Sequence, residues 1–251
     1  MSKIALITGA TSGIGEACAH LFAREHYDLV LTGRRKDRLE KLAEKLSNEH
    51  NVDIAVLSFD VRNREQVVSN LEELPAKWKS VNVLINNAGL SRGLDPLQSG
   101  SYDDWDTMID TNIKGLLNVS KVVSNWMINN RFGHIINLGS VAGKEVYPNG
   151  NVYCATKFAV DALNKAMRID LLPYGIKVTG IHPGAVETEF SEVRFKGDKE
   201  RAKKVYDGFE PLVAGDIAET IWFAVSRPAH VNINEITVMP TAQASATIIN
   251  R

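Results

Sequence analysis

The chain has 251 residues, of which 44% are hydrophobic, and a formal net charge of −1. That is enough apolar material for one sizeable core, and the near-neutral balance gives no electrostatic support for a nucleic-acid partner. No apolar run reaches the roughly 18 residues of a membrane span. The 2 cysteines, Cys18 and Cys154, supply no disulfide framework, and the 6 histidines lack metal-ligand spacing. A cytoplasmic chain with reduced thiols, no bound metal and no membrane partner is therefore expected.

In chain order, short β-branched runs alternate with helical patterns. KIALIT (3–8) reads as a strand and leads through a glycine-rich turn into a helix over 13–25. DLVLT (28–32) precedes a helix from near Asp37, with Leu39, Leu42, Ala43 and Leu46 on one stripe. DIAVLSF (53–59) precedes a helix from near Asn63. VNVLIN (81–86) and GHIINL (133–138) are each followed by a long helix, about 105–129 and 151–172. IKVTGI (176–181) and EITVM (235–239) complete the strands. Their near-continuous apolar character suits strands buried on both faces. The alternation predicts an α/β fold, a single doubly wound domain over 1–251, with a seven-stranded parallel sheet covered by helices on both faces. One segment, about 184–215, is charged and irregular, and an insertion of that length suggests a lid.

LITGATSGIGE lies at the first strand-to-helix junction, where a phosphate-binding turn belongs. Its glycines, Gly9, Gly13 and Gly15, are spaced G-x3-G-x-G, a variant of the common G-x-G-x-x-G. Gly9 permits the tight turn, Gly13 lets amides approach a pyrophosphate, and Gly15 permits close helix–sheet contact. The second strand ends in Gly33, Arg34 and Arg35, where an NAD site would place an acid. Guanidiniums there would pair with a 2′-phosphate, so NADP(H) is favoured over NAD(H). A solvated, basic helix start is the plainer reading of the same residues.

NVYCATKFAV (151–160) sets Tyr153 four residues before Lys157, on one helix face. An adjacent ammonium favours phenolate, and a phenol so poised can exchange a proton with an alcohol or carbonyl oxygen. Ser140 follows the fifth strand, and NNAG (86–89) closes the fourth, at the sheet edge where open α/β sheets bind ligands. Asn112 is a polar amide inside a helical pattern.

Taken together, TGATSGIG (8–15), DV (60–61), NNAG (86–89), Asn112, Ser140, Tyr153/Lys157 and PG (183–184) resemble the short-chain dehydrogenases/reductases. The resemblance implies a sheet in the order 3-2-1-4-5-6-7, a homotetramer or dimer, and a small-molecule substrate. It implies that Thr11, Ser12 and Ile14 join the glycines in coenzyme binding. Asp60 and Val61 would flank the adenine, Asn87, Ala88 and Gly89 the adenosine side. Pro183, Gly184, Val186 and Thr188 would hold the nicotinamide carboxamide and pyrophosphate. Tyr153 would be the acid/base, Ser140 the donor to substrate, Lys157 the cation that lowers the phenol and binds ribose. Asn112 would position a relay water. VETEFSEVRFKGDKERAKKVYDG, PAHVNINEITVMPT and TNIKGLLN are similar to the NADP-dependent 3-hydroxy acid dehydrogenases, the serine and allo-threonine dehydrogenase group. A 3-ketoacyl thioester, carbonyl or sugar-alcohol reductase, or a non-catalytic NADP sensor, is the alternative. A carboxylate substrate needs a cation, for which Arg194, Arg92, Lys196 and Lys144 are candidates. The tail MPTAQASATIINR is apolar enough to pack on a second subunit or on its own pocket.

Overall fold

The computed structural model of the protein describes residues 3–251. In chain order the strands are β1 (Lys3–Thr8), β2 (Tyr27–Gly33), β3 (Ile54–Ser58), β4 (Val81–Asn86), β5 (His134–Leu138), β6 (Lys177–Pro183), β7 (Val186–Glu187), β8 (Leu212–Val213) and β9 (Glu235–Val238). Seven of them form one parallel sheet in the order β3-β2-β1-β4-β5-β6-β9. This is the expected order, with the last strand renumbered because β7 and β8 pair separately. Direction of winding reverses between β1 and β4, the crevice where such sheets take ligands.

The helices are α1 (Gly13–Arg24), α2 (Lys36–His50), α3 (Arg64–Glu72), α4 (Tyr102–Ile109), α5 (Leu116–Asn130), α6 (Asn151–Leu171), α7 (Phe190–Arg194), α8 (Lys199–Lys204) and α9 (Ala214–Val225). Successive strand residues point to opposite faces, so β1 serves two cores. Ala5 and Ile7 pack with Phe22 of α1, Leu39, Leu42 and Leu46 of α2, and Ile217 and Ile221 of α9. Ile4 and Leu6 pack with Leu71 of α3, Val119, Val123 and Met127 of α5, and Leu171 of α6. Polar residues knit the centre as well. Asn86 Nδ2 donates to Asn137 Oδ1 at 2.9 Å and to Ser120 Oγ at 2.8 Å, and Asn137 Nδ2 donates to Asn164 Oδ1 at 3.0 Å. These buried amides are bonded to one another, which ties β4, β5, α5 and α6 into one register, while Asn86 Oδ1 is buried without a hydrogen-bond partner.

Three expectations change. The irregular segment is partly ordered: it holds the β7–β8 pair, α7 and α8. It ends in α9, which the charged composition upstream had concealed; Val213 N–H donates to Asp216 Oδ2 at 2.8 Å and starts this helix. The helix expected over 105–129 is α4 and α5 joined through a π-helical turn, Asp110–Gly115. Such turns widen a helix locally and often sit at functional sites. Gly115 has no room for a side chain there, since a Cβ would come within 2.7 Å of Val61 Cγ2.

Candidate active site

The C-terminal ends of β1, β2, β4, β5 and β6 open onto a cleft of about 620 Å³. Its floor at β1 is the glycine turn. Gly9 and Gly13 have φ of 69° and 55°, the left-handed region that glycine adopts freely. Gly15 lies below the cleft and serves packing: a Cβ on it would collide with the Gly9 carbonyl oxygen and approach Asn87 Nδ2 to 2.5 Å. Asn87 Nδ2 in turn donates to Thr8 O at 2.9 Å, which binds the end of β4 to the turn after β1. At Gly9 and Gly13 the cradle thus exposes bare backbone at the helix start of α1, the form a diphosphate needs.

Thr11, Ser12, Ile14, Arg34, Arg35, Asp60, Val61, Ala88 and Gly89 line this cleft with Gly9, Gly13 and Asn87. Pro183, Gly184, Val186 and Thr188 line it from β6 and β7. Arg35 is anchored: its Nη2 donates to Ser12 Oγ at 2.7 Å and to Thr11 Oγ1 at 2.8 Å, and its Nη1 to Glu189 Oε2 at 2.8 Å. Arg38 Nη1 donates to the other oxygen of Glu189 at 2.7 Å. Burial raises the Glu189 carboxyl, but the hydrogen bonds from Arg38 and Arg35 outweigh it and hold the group down to about 2.

Ser140, Tyr153 and Lys157 meet at the far end of the cleft. Ser140 caps the short turn after β5, its Oγ accepting from Ala142 N–H at 3.1 Å. Lys157 Nζ donates to Leu138 O at 2.8 Å and lies 6.0 Å from the Tyr153 ring centre. Burial brings the Lys157 ammonium down to about 8. Burial pushes Tyr153 up, and the groups that oppose it are the charge of Arg194 and a hydrogen bond with Ser140, not Lys157. Arg194 stacks 5.3 Å from the Tyr153 ring centre and 5.0 Å from that of Phe190, and its Nη2 donates to the Tyr147 hydroxyl at 3.0 Å. Its Nε is buried without a hydrogen-bond partner.

Of the candidate cations, Arg194 alone reaches the cleft beside Tyr153. Arg92 lines a separate, small pocket with Asp104, Trp105 and the other side of Tyr153. Lys196 pairs with Asp104 at 2.7 Å, and Lys144 with Asp161 and Glu235 at 2.8 and 2.7 Å. Each is drawn off by a carboxylate that sequence distance concealed. Asn112 does not line the cleft. Its Oδ1 accepts from Leu90 N–H at 2.8 Å, and its Nδ2 donates to Leu90 O at 2.8 Å and Thr156 Oγ1 at 3.0 Å. Both amide protons are taken, so the side chain braces the π turn against the loop after β4. Tyr147, Glu189, Phe190 and Gln243 line the cleft without having been foreseen. No residue-type pattern marks them; only the folding-over of distant segments does. The tail lies over the cleft of its own chain: Gln243, Ala246, Ile249 and Arg251 line it, with Gln243 Oε1 accepting from Ala185 N–H at 2.8 Å.

The family model for short chain dehydrogenase matches residues 3–199. The chain belongs to the short-chain dehydrogenase family. Among its relatives, the NADP-dependent 3-hydroxy acid dehydrogenase YdfG of Escherichia coli (strain K12) is 45% identical over 97% of both chains. Sulfoacetaldehyde reductase 2 of Chromohalobacter salexigens is 48% identical over 100% of both. Among solved structures, the closed form of a serine dehydrogenase complexed with NADP+ superposes with a TM-score of 0.92 at 44% identity, covering 99% of each chain.

Proposed function

We propose that this protein is an NADP(H)-dependent oxidoreductase acting on the 3-hydroxyl of a small 3-hydroxy acid, such as serine or allo-threonine, or on the matching carbonyl. The observation that carries this reading is the meeting of Ser140, Tyr153, Lys157 and a partly unsatisfied Arg194 at one end of the cleft that begins at the glycine turn. The residues suit the coenzyme: a side-chain-free cradle at Gly9 and Gly13 for the diphosphate, and Arg34 and Arg35 at the end of β2 for a 2′-phosphate. When bound, the nicotinamide supplies the hydride acceptor or donor.

The chain's own residues do the rest. In oxidation the Tyr153 phenolate takes the substrate's hydroxyl proton; in reduction the phenol returns it. Ser140 donates to the substrate oxygen and stabilises charge developing there. Burial opposes ionisation of Tyr153, so the positive charge of Arg194 and the hydrogen bond with Ser140 favour its phenolate. Arg194, beside the rings of Tyr147 and Phe190, offers its guanidinium to the substrate carboxylate. Asn112 acts as a brace. The segment 184–215 closes over the substrate as a lid on the single domain.

A second reading takes a sulfonate in place of the carboxylate, since a pyramidal sulfonate also presents two oxygens to the same guanidinium and one full-length relative is a sulfoacetaldehyde reductase. No helix among the described residues is long and apolar enough to cross a membrane, and we place the protein in the cytoplasm as a homo-oligomer, a tetramer before a dimer. Exposed Leu117 on α5 and Phe158 and Ile169 on α6 support a subunit contact. The test is to follow NADPH absorbance across 3-hydroxy acids, hydroxysulfonates, acyl thioesters and polyols. Turnover confined to the first two classes is expected; turnover of thioesters or polyols alone would overturn the proposal.

A further inference from the structure

Glu189 leaves the irregular segment one residue before α7 and faces the basic end of β2. Its two oxygens are divided between Arg35 and Arg38, at 2.8 and 2.7 Å. Arg35 continues into the glycine turn through Thr11 and Ser12. One carboxylate therefore fastens the start of the segment to the turn that cradles the coenzyme, across 154 residues of chain. Thr188, its neighbour, packs directly on Gly13, where a Cβ would lie 3.3 Å from the threonine methyl.

We propose that Glu189 is a coenzyme-specificity residue: its carboxylate occupies guanidinium donors that a ribose 2′-phosphate requires, so the phosphate displaces it and releases residues 190–209 from the glycine turn. The inference rests on the NADP(H) reading above. Carboxylate and phosphate compete for the same planar donors. A phosphate monoester carries about −1.5 to −2 at neutral pH, so it prevails over a single carboxylate, and a carboxylate left in place would repel it. The existing pairs are partly open to solvent, with Arg35 and Glu189 side chains 38% and 41% exposed, so they break at small cost. Binding of a 2′-phosphate and fastening of the segment then oppose each other, and by reciprocity each weakens the other. A coenzyme without the 2′-phosphate leaves the fastening intact.

The test uses the full chain and two fragments that lack nicotinamide, 2′,5′-ADP and ADP. Calorimetry gives affinities, and hydrogen exchange reports on residues 190–209. Wild type should bind 2′,5′-ADP more tightly than ADP; the absence of that preference would sink the coenzyme reading and this proposal with it. Given that preference, Glu189→Gln should bind 2′,5′-ADP roughly three- to tenfold more tightly than wild type, with ADP unchanged. In wild type, 2′,5′-ADP but not ADP should raise exchange over 190–209. In Glu189→Gln that exchange should already be high and indifferent to either fragment. Equal or weaker binding of 2′,5′-ADP by the variant, or exchange that ignores the 2′-phosphate in wild type, would overturn the proposal and leave the coenzyme reading standing.

Discussion

Tyr153 is 7% exposed, packed 5.6 Å from the Phe190 ring centre, and raised by burial. A phenol in that setting ionises only with help from positive neighbours. Tyr153→Phe is expected to lower kcat by about 10²–10⁴-fold while calorimetric coenzyme affinity stays the same; an active variant would remove the acid/base assignment. Arg194 has two separable roles, anion binding and support of the phenolate. Arg194→Ala should raise KM for hydroxy acids by about tenfold or more, since a hydrogen bond to a charged group contributes about 1.5–3 kcal/mol. The same variant should shift the pH limb of kcat upward, because the charge that lowers Tyr153 is gone. A higher KM with an unmoved pH limb would confine Arg194 to anion binding.

At the level of elements, the strand-to-helix turn between β1 and α1 is the proposed coenzyme cradle, and its glycines are not equivalent. Gly9 and Gly13 are needed for their left-handed backbone, whereas Gly15 is needed because the Gly9 carbonyl and Asn87 leave no volume beside it. Gly15→Ala should therefore destabilise by about 1–3 kcal/mol, an overpacking effect visible in urea unfolding. In the proposed function, charge at the start of α2 sets coenzyme preference. Arg34→Ala should raise KM for NADPH far more than for NADH, and an unchanged ratio would contradict that assignment. Arg35→Ala should impair both, since Arg35 also holds Thr11 and Ser12 in the turn.

Across the whole molecule, two imidazoles are buried in neutral form. Burial, with Lys177 nearby, lowers His134 to about 3. Burial and then Lys144 lower His182 to about 4, against Asp161 and Glu235, which pull it upward. Between these values and the ordinary 6.5 the unfolded chain binds more protons than the folded one. Stability is then full above about pH 6.5 and declines as pH falls toward 4 and 3. The lowered carboxyls of Asp161 and Glu189 add a further loss as pH drops below the ordinary carboxylate range of about 4. Melting temperature should fall from about pH 7 to pH 4.5 and fall less steeply in His182→Gln. A flat profile in the wild type would mean these rings are not held neutral.

The alternation of strands and helices, the glycine turn and the Tyr153–Lys157 pair were legible in the sequence, because apolar periodicity and motif spacing act within a few residues of one another, while the family resemblance implied that Ser140 joins that pair. Helix α9 was hidden behind a charged, irregular run, and the π turn behind an unbroken helical pattern. Choosing among the cations required the fold. Arg92, Lys144, Lys196 and Arg194 look alike as letters, yet carboxylates from elsewhere in the chain capture Lys144 and Lys196, Arg92 lies outside the cleft, and Arg194 is pressed against three aromatic rings. The partner of Arg35, the satisfied amide of Asn112 and the countercharge of Tyr153 are likewise contacts between distant segments. Local chemistry chose the residue types; three-dimensional packing chose their neighbours, and the neighbours set charge state and role.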